Sequence, residues 1–387
     1  MAYTSQKINW LAKDLTMINV RKVKNGKRYD VRLRDPSGRL YTKSFSSKRD
    51  AETYEAKMLV EKTVGTWMDP RLGRVKLSEW SSKWMEQRVD LRPRTRELYS
   101  GLLSHHILPQ LGRVELSKLS PTLVRTWYSK LLLENGPGAS TAAKSYRLLR
   151  TIVQTAVADG ILVRNPCQVD KAGVERADER PVPTIAELSN LADAIHPRMR
   201  LLVLLAAWCG LRRGELLGLC RSDIDLVEQS VRVDRAVVEL ANGERIVGSP
   251  KTDAGRRTVA IPPHLLPEVT SHLDKYVGEK PTALLFTGVK GGPLRLHVLQ
   301  KAWVRAKEKT GLTKFHLHDL RHAGNTWAAT TGASTKELMA RMGHSSSAAA
   351  IRYQHASSNR DKAIAQALSA LAISSEESLN VVSEPEI

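Results

Sequence analysis

Residues 210–215 read Gly-Leu-Arg-Arg-Gly-Glu and directly follow an apolar run, Leu201 to Cys209. The run predicts a buried helix, and the glycine after it predicts a turn into a second helix near Arg213. An arginine at a helix start can hold a phosphate with two parallel hydrogen bonds, and the N–H groups there favour an anion. Glu215, three residues after Arg212, can orient that guanidinium; an ordinary surface ion pair is the alternative explanation.

Three more groups of side chains suited to phosphate chemistry follow along the chain. Pro250-Lys251-Thr252-Asp253 predicts a hairpin tip whose lysine can donate a proton to a leaving oxygen. His318-Asp319-Leu320-Arg321-His322 predicts a helix on which the first histidine and the arginine share one face. His344 lies in a Gly-His-Ser turn, and Tyr353 can act as a nucleophile if cations ease the loss of its proton. Each group alone also has a structural explanation, such as an exposed lysine or a core tyrosine.

Taken together and in this order, the residues resemble the active-site signature of the tyrosine recombinase (phage integrase) family. The set is Arg212, Lys251, His318, Arg321, His344 and Tyr353. The local sequences Gly-Leu-Arg-x-Gly-Glu, Pro-Lys-Thr, His-x-Leu-Arg-His, Met-Gly-His-Ser-Ser and Tyr-x-His are similar to those of the family. After Arg321-His322 the chain reads Ala-Gly-Asn, where the family often has a small hydroxyl residue and alanine. This departure leaves the candidate catalytic positions intact.

The resemblance implies a site-specific DNA recombinase, an integrase that joins Tyr353 to a 3′ phosphate and later passes that phosphate to a new 5′ hydroxyl. The two arginines would neutralise the nonbridging oxygens, and the two histidines would complete the cage around them. Lys251 would protonate the departing 5′ oxygen. Side chains would supply all the positive charge, so the resemblance implies no metal, no other cofactor and no ATP.

The charge of the chain predicts a polyanionic partner. The 387 residues carry a formal net charge of +20, and double-stranded DNA carrying attachment sites is the expected partner. A basic ribosome- or membrane-associated protein is the alternative. The three cysteines form no CxxC motif, which argues against a disulfide framework or a zinc site. The first residues form no apolar signal core and no apolar run is long enough for a bilayer, so we expect a cytoplasmic protein without membrane contact.

The expected fold class is multidomain, mainly α with α+β. The chain divides into an N-terminal arm-type DNA-binding domain of three strands and a helix (1–65), an all-helical, SAM-like core-binding domain (76–166), a linker (167–183), a mixed, mostly helical catalytic domain with a small antiparallel sheet (184–373) and a disordered acidic tail (374–387). The names of the two N-terminal domains follow from the resemblance.

The sequence of the N-terminal domain predicts a sheet with one basic face. Strands are expected at Ile18–Val23, Arg28–Arg34 and Leu40–Phe45, with a turn at Asn25-Gly26. Residues 1–65 hold 15 lysines and arginines against 7 aspartates and glutamates. The candidate DNA contacts are Arg32 and Arg34 of the middle strand and Arg94, Lys144 and Arg147 at a helix start or on one helix face. The alternative is a solvated basic surface.

Exchange of strands between two duplexes needs four active sites, so the resemblance implies a homotetramer on DNA. It also raises the expectation of a DNA-bending host factor and a recombination directionality factor. Residues 362–373, with Ile364, Leu368 and Leu371 at helical spacing, are predicted to pack either on a neighbouring protomer or on their own domain.

Other functions stay open at this point. A topoisomerase of the same chemistry or a chromosome-dimer resolvase is the nearest, although the basic N-terminal domain favours an integrase. A catalytically silent DNA-binding regulator would keep the fold without the complete set of six residues. A hydrolytic nuclease would need a carboxylate cluster for metal ions, which the sequence does not display.

Overall fold

The computed structural model describes residues 16–24, 26–34, 40–63, 71–133, 135–175, 182–250 and 252–343. They belong to two compact units, Met1–Ala177 and Asp178–Ile387. Several predicted features lie outside the described residues: Asn25 of the first turn, the second turn that the sequence predicts at Pro36-Ser37-Gly38, the helix at 362–373 and the acidic tail at 374–387. The boundaries of the domains within each unit remain predictions.

The first unit begins with the predicted antiparallel sheet. Its strands are β1 (Thr16–Val23), β2 (Gly26–Arg34) and β3 (Leu40–Phe45), in the order β1-β2-β3, followed by helix α1 (Lys48–Thr63). The apolar side of β2 packs on the helix, because Val31 and Leu33 are fully buried together with Ala51 and Met58. On the opposite side Asp30 is buried as well, and its carboxylate accepts a hydrogen bond from the Ser44 hydroxyl at 2.5 Å.

The rest of the first unit is helical. Its helices are α2 (Leu77–Gln87), α3 (Pro93–Leu102), α4 (Leu108–Leu111), α5 (Pro121–Leu131) and α6 (Ala139–Ala158). The indole N–H groups of Trp80 and Trp84 bind α2 to α6, where they donate to the Ile152 carbonyl at 3.1 Å and the Thr155 hydroxyl at 3.0 Å. Both rings therefore combine an apolar contact with a satisfied N–H group.

The sequence predicts a helix from Thr95 to His105, but the observed helix α3 already ends at Leu102. A wider π-turn, Leu103–Ile107, follows α3 and leads into α4. Pro109 has no N–H to donate to the His105 carbonyl, so the α-helical hydrogen bonds cannot continue across this point.

The second unit is built around one buried helix. Its helices are α7 (Ile185–Ala194), α8 (Pro197–Trp208), α9 (Arg213–Leu216), α10 (Leu266–Tyr276), α11 (Leu296–Thr310), α12 (Leu317–Thr330) and α13 (Thr335–Met342). Residues 201–207 of α8 are all buried. α12 approaches α8 very closely, because a Cβ atom on Gly324 would lie 1.8 Å from the Ala207 carbonyl oxygen.

Two small sheets complete the second unit, and here two predictions are wrong. Strands β4 (Ile224–Asp225), β5 (Ser230–Val233) and β8 (Arg257–Ala260) form one sheet, whereas β6 (Ala236–Glu239) and β7 (Arg245–Gly248) form another. The sequence pattern predicts a single strand from Ser230 to Leu240, but the chain is divided there, because Arg235 turns aside to bind Asp223 at 2.8 and 3.2 Å. The hairpin predicted around residues 250–253 does not form, since the flanking strands β7 and β8 belong to different sheets.

The predicted fold class is confirmed: an N-terminal sheet with a helix, a helical region and a mostly helical unit with small antiparallel sheets. None of the described helices has the length and apolar character that a bilayer crossing needs.

Candidate active site

Arg212 lies immediately before α9 and contacts Glu215, as the spacing predicts. Its backbone N–H donates to Glu215 Oε2 at 2.8 Å, and its Nη1 donates to Oε1 at 2.8 Å. The carboxylate is only 2% exposed, whereas the Arg212 side chain is 34% exposed. The buried acid therefore fixes an arginine that solvent can still reach.

A second guanidinium, which no local sequence pattern singles out, binds the same carboxylate. Arg257, the first residue of β8, donates from Nη2 to Glu215 Oε2 at 3.0 Å and from Nη1 to Oε1 at 3.3 Å. Burial raises the pKa of Glu215, but the hydrogen bonds and charge of Arg257, and then the bonds from Arg212, lower it below its ordinary value. Glu215 is therefore a carboxylate held between two cations.

Arg321 lies on α12 and reaches into the same region from the other side. It is 4% exposed. Its Nη1 donates to the Gly210 carbonyl and its Nη2 to the Met342 carbonyl. The close packing of Gly324 on α8 explains this reach, because it brings α12 against the end of α8 that leads into Gly210.

His318 lies on α12 one turn before Arg321, and its ring meets that of His322 at a centroid distance of 4.8 Å. Burial of the ring, then the neighbouring His322, Arg321 and Arg212, lower the pKa of His318 to about 4, although Asp319 opposes them. The residue as a whole is nevertheless exposed to solvent. The imidazole is thus neutral at physiological pH and able to accept a hydrogen bond or a proton.

The arginines meet at the end of α13. Its last carbonyls take one guanidinium each: Arg257 Nε donates to the Arg341 carbonyl at 2.7 Å, Arg321 Nη2 to the Met342 carbonyl and Arg212 Nη2 to the Gly343 carbonyl at 2.8 Å. We call Arg212, Arg257, Arg321 and Glu215 the arginine cluster. Three positive charges and one negative charge leave the cluster with a surplus of positive charge, which suits a phosphate.

Gly343 allows the end of α13 to fit against the turn before β8. Its φ of +62° is left-handed, and a Cβ atom there would lie 2.7 Å from the Ala254 carbonyl oxygen. Gly343 directly precedes His344, and Ala254 follows Lys251 by three residues. The described neighbours of both candidate residues are therefore in contact with each other.

Three of the candidate residues cannot be placed: Lys251, His344 and Tyr353 lie outside the described residues. Of the six candidates, the structure brings together Arg212, His318 and Arg321, with Glu215 beside them. Across the described ranges, no group of three or more His, Cys, Asp or Glu residues is arranged to hold a metal ion.

The candidate DNA contacts of the first unit differ in their surroundings. Arg32 and Arg34 are exposed on β2. Arg94 forms an ion pair with Glu97. Lys144 and Arg147, on α6, both form ion pairs with Glu175, which lies 3.4 Å from the Lys144 ammonium. The basic face of α6 is therefore partly neutralised by an acid from the predicted linker.

Comparison with known proteins shows which family this chain is similar to. Residues 178–360 match the model of the phage integrase family, and residues 76–132 match the N-terminal SAM-like domain of phage integrases. The chain is 38% identical over 359 residues to a putative prophage phiRv2 integrase of Mycobacterium tuberculosis, which covers 90% of this chain and 94% of the relative. It is 36% identical over 345 residues to the integrase of Mycobacterium phage L5, covering 85% and 90%.

Among solved structures, the Tn1549 transposon integrase in complex with transposon right end DNA shares the fold, with a TM-score of 0.67 and 19% identity, over 76% of this chain and all of that one. The chain belongs to the phage integrase family of tyrosine recombinases. The predicted class of enzyme, a tyrosine site-specific recombinase, is confirmed. A catalytically silent regulator is not favoured, because the relatives are integrases.

Proposed function

We propose that this integrase cleaves and rejoins DNA at attachment sites through Tyr353, with Arg212, Lys251, His318, Arg321 and His344 as the other catalytic residues. The observation that carries the assignment is the convergence of Arg212, Arg321 and neutral His318 next to the residue that precedes His344. Four of the six positions therefore belong to one small region or directly adjoin it.

Each residue has a defined part in the cleavage step. The Tyr353 oxygen forms a bond to phosphorus while the bond from phosphorus to the 5′ oxygen breaks. The tyrosine proton passes to the imidazole of His318, and Lys251 gives a proton to the 5′ oxygen. Rejoining reverses these movements with a new 5′ hydroxyl, so the bond energy is kept in the phosphotyrosine ester.

Arg212 is the arginine that a phosphate reaches most easily. Each Nη of its guanidinium carries a second hydrogen besides those given to Glu215 and Gly343, and the side chain is 34% exposed. Arg321 acts from a buried position, where the low dielectric strengthens its attraction for the charge that builds on the phosphate.

His318 becomes a better base when DNA binds. Without DNA its pKa is lowered to about 4 by burial and by neighbouring positive groups. A phosphate anion beside the ring favours the protonated form and so raises that pKa. Uptake of the tyrosine proton is therefore easier in the complex than in the protein alone.

The biological reaction we propose is integration, and excision, of a phage or other mobile element. The partners are double-stranded attachment sites and, on DNA, three further copies of the chain. A solved lambda integrase tetramer bound to a Holliday junction supports this, since it has a TM-score of 0.55 over 87% of this chain. A DNA-bending host factor, a directionality factor and action in the host cytoplasm complete the proposal.

A nicked suicide duplex tests the nucleophile. The attachment site is first located by sequencing the DNA that flanks the gene. Wild-type protein should form a covalent adduct with the nicked duplex, because the released fragment cannot rejoin. Tyr353→Phe should form none, whereas Tyr276→Phe, which removes a hydroxyl from the last residue of α10, should retain the reaction. An adduct with Tyr353→Phe would assign the nucleophile to another residue.

A further inference from the structure

Arg257 binds more groups around the arginine cluster than its position in the sequence suggests. Its side chain is 6% exposed, and its donors reach the Glu215 carboxylate, the Gly255 carbonyl at 3.0 Å and the Arg341 carbonyl at 2.7 Å. One guanidinium thus binds α9, the turn that follows Lys251 and the helix that precedes His344.

Arg257 holds the Glu215 carboxylate on both of its oxygens, whereas the Arg212 side chain uses one. The buried pair between Arg257 and Glu215 therefore fixes the acid in place. Arg212 binds Oε1 of the same carboxylate, and its side chain stays partly exposed. The direction in which Arg212 points consequently depends on Arg257.

The planar shape of the guanidinium is needed for this arrangement. Arginine presents donors in a rigid fork that matches a carboxylate, whereas the lysine ammonium is a point charge without that geometry. Arg257 uses the fork for Glu215 and the Nε on its other edge for the Arg341 carbonyl. Lysine could supply the charge here but not both sets of hydrogen bonds.

We propose that Arg257 is a positioning residue for DNA cleavage: through Glu215 it sets the orientation of Arg212, and through Arg341 it fixes the end of α13 that leads to His344. This inference rests on the proposed function of the site. Arg257 touches neither the phosphate nor the tyrosine in this scheme, so its effect on the reaction passes through Arg212 and through the end of α13.

The test compares two nicked duplexes that differ only at the phosphate to be cut. One carries the natural phosphate and the other a methylphosphonate, which lacks one negative charge. A neutral phosphonate needs less charge neutralisation, so a variant with a defect in Arg212 should be less impaired on it. The proteins compared are wild type, Arg212→Gln, Arg257→Gln, Arg257→Lys and the control Arg232→Gln, which removes a positive charge from β5.

We expect Arg257→Gln to form the adduct about 100-fold more slowly on the natural phosphate, the loss typical of a displacement of about 1 Å in a reacting group. On the methylphosphonate the loss should shrink at least tenfold, as it should for Arg212→Gln. Arg257→Lys should lie between wild type and Arg257→Gln. Affinity for the duplex should change less than the rate, and Arg232→Gln should react like wild type.

Equal losses of Arg257→Gln on both duplexes would overturn the proposal, because a purely structural role does not depend on the charge of the substrate. So would a rate equal to that of Arg232→Gln. If Arg257→Gln fails to fold, Arg257→Lys carries the same comparison. Failure of the proposed function appears separately, as a wild-type protein without adduct or a Tyr353→Phe variant that still forms one.

Discussion

Replacement of Gly324 by alanine tests how far the site depends on the packing of α12 against α8. The added Cβ atom would lie 1.8 Å from the Ala207 carbonyl oxygen, a distance that must grow to at least 3.0 Å. α12 must therefore move away from α8 by more than 1 Å at this point. Arg321 lies one turn earlier on α12 and would move with it, away from the Gly210 carbonyl.

Both the stability and the rate should respond to this change. Overpacking of a rigid helix contact costs about 3 kcal/mol, at the upper end for such substitutions, because the obstructing atom belongs to the backbone. A displacement of about 1 Å in a charge-stabilising group lowers the rate roughly 100-fold. Urea unfolding measures the first effect, and adduct formation on the nicked duplex measures the second.

Gly278→Ala is the matched control for Gly324→Ala. A Cβ atom on Gly278 would meet the Ala283 Cβ at 3.6 Å, which is ordinary van der Waals contact. This variant should unfold and react like wild type. If Gly324→Ala unfolded at the same urea concentration as Gly278→Ala, the close approach of the two helices would not be a property of the folded protein.

Two further predictions concern charge. The Ser140 hydroxyl and Arg147 lower the pKa of Glu175 to about 2, so its carboxylate is charged at neutral pH and neutralises Lys144 and Arg147. Glu175→Gln should therefore tighten binding to duplex DNA. The slope of log affinity against log salt concentration should steepen by roughly one unit for each additional DNA phosphate that the protein neutralises. Unchanged affinity and slope in a salt titration would contradict this prediction. His318 has a folded pKa of about 4 and an ordinary value of 6.5, so between these values the unfolded chain binds more protons. The contribution of His318 to stability should be present above pH 6.5 and lost as the pH falls to 4. The free energy of unfolding, measured with urea across this range, should therefore fall more steeply for wild type than for His318→Gln. Parallel pH profiles of the two proteins would show that His318 makes no such contribution.

Local patterns predicted the parts of the site that lie within one helix or one turn. The spacing of Arg212 and Glu215 and that of His318 and Arg321 follow from the period of a helix, and both pairs are where that period places them. Arg257 was missed because nothing local distinguishes it from Arg256: its partner Glu215 lies 42 residues earlier in the chain.

The same limit explains the errors in the fold. The break at Asp234 and Arg235 depends on the ion pair with Asp223, which no strand pattern reveals. The neutralised face of α6 depends on Glu175, a residue of the predicted linker. Long-range ion pairs thus determine the strand break and the charge of the α6 face, which hydrophobic periodicity alone does not predict.

The main-chain oxygens at the end of α13 satisfy the guanidiniums before any nucleic acid arrives. The protein can therefore keep like-charged groups side by side in its free state, and a scissile phosphate binds the hydrogens of Arg212 that these oxygens leave unused. Small anions such as free orthophosphate gain little from these few remaining donors. We therefore expect the arginine cluster to bind a phosphate only when a DNA duplex, held along its length by many other interactions, places its backbone beside Arg212.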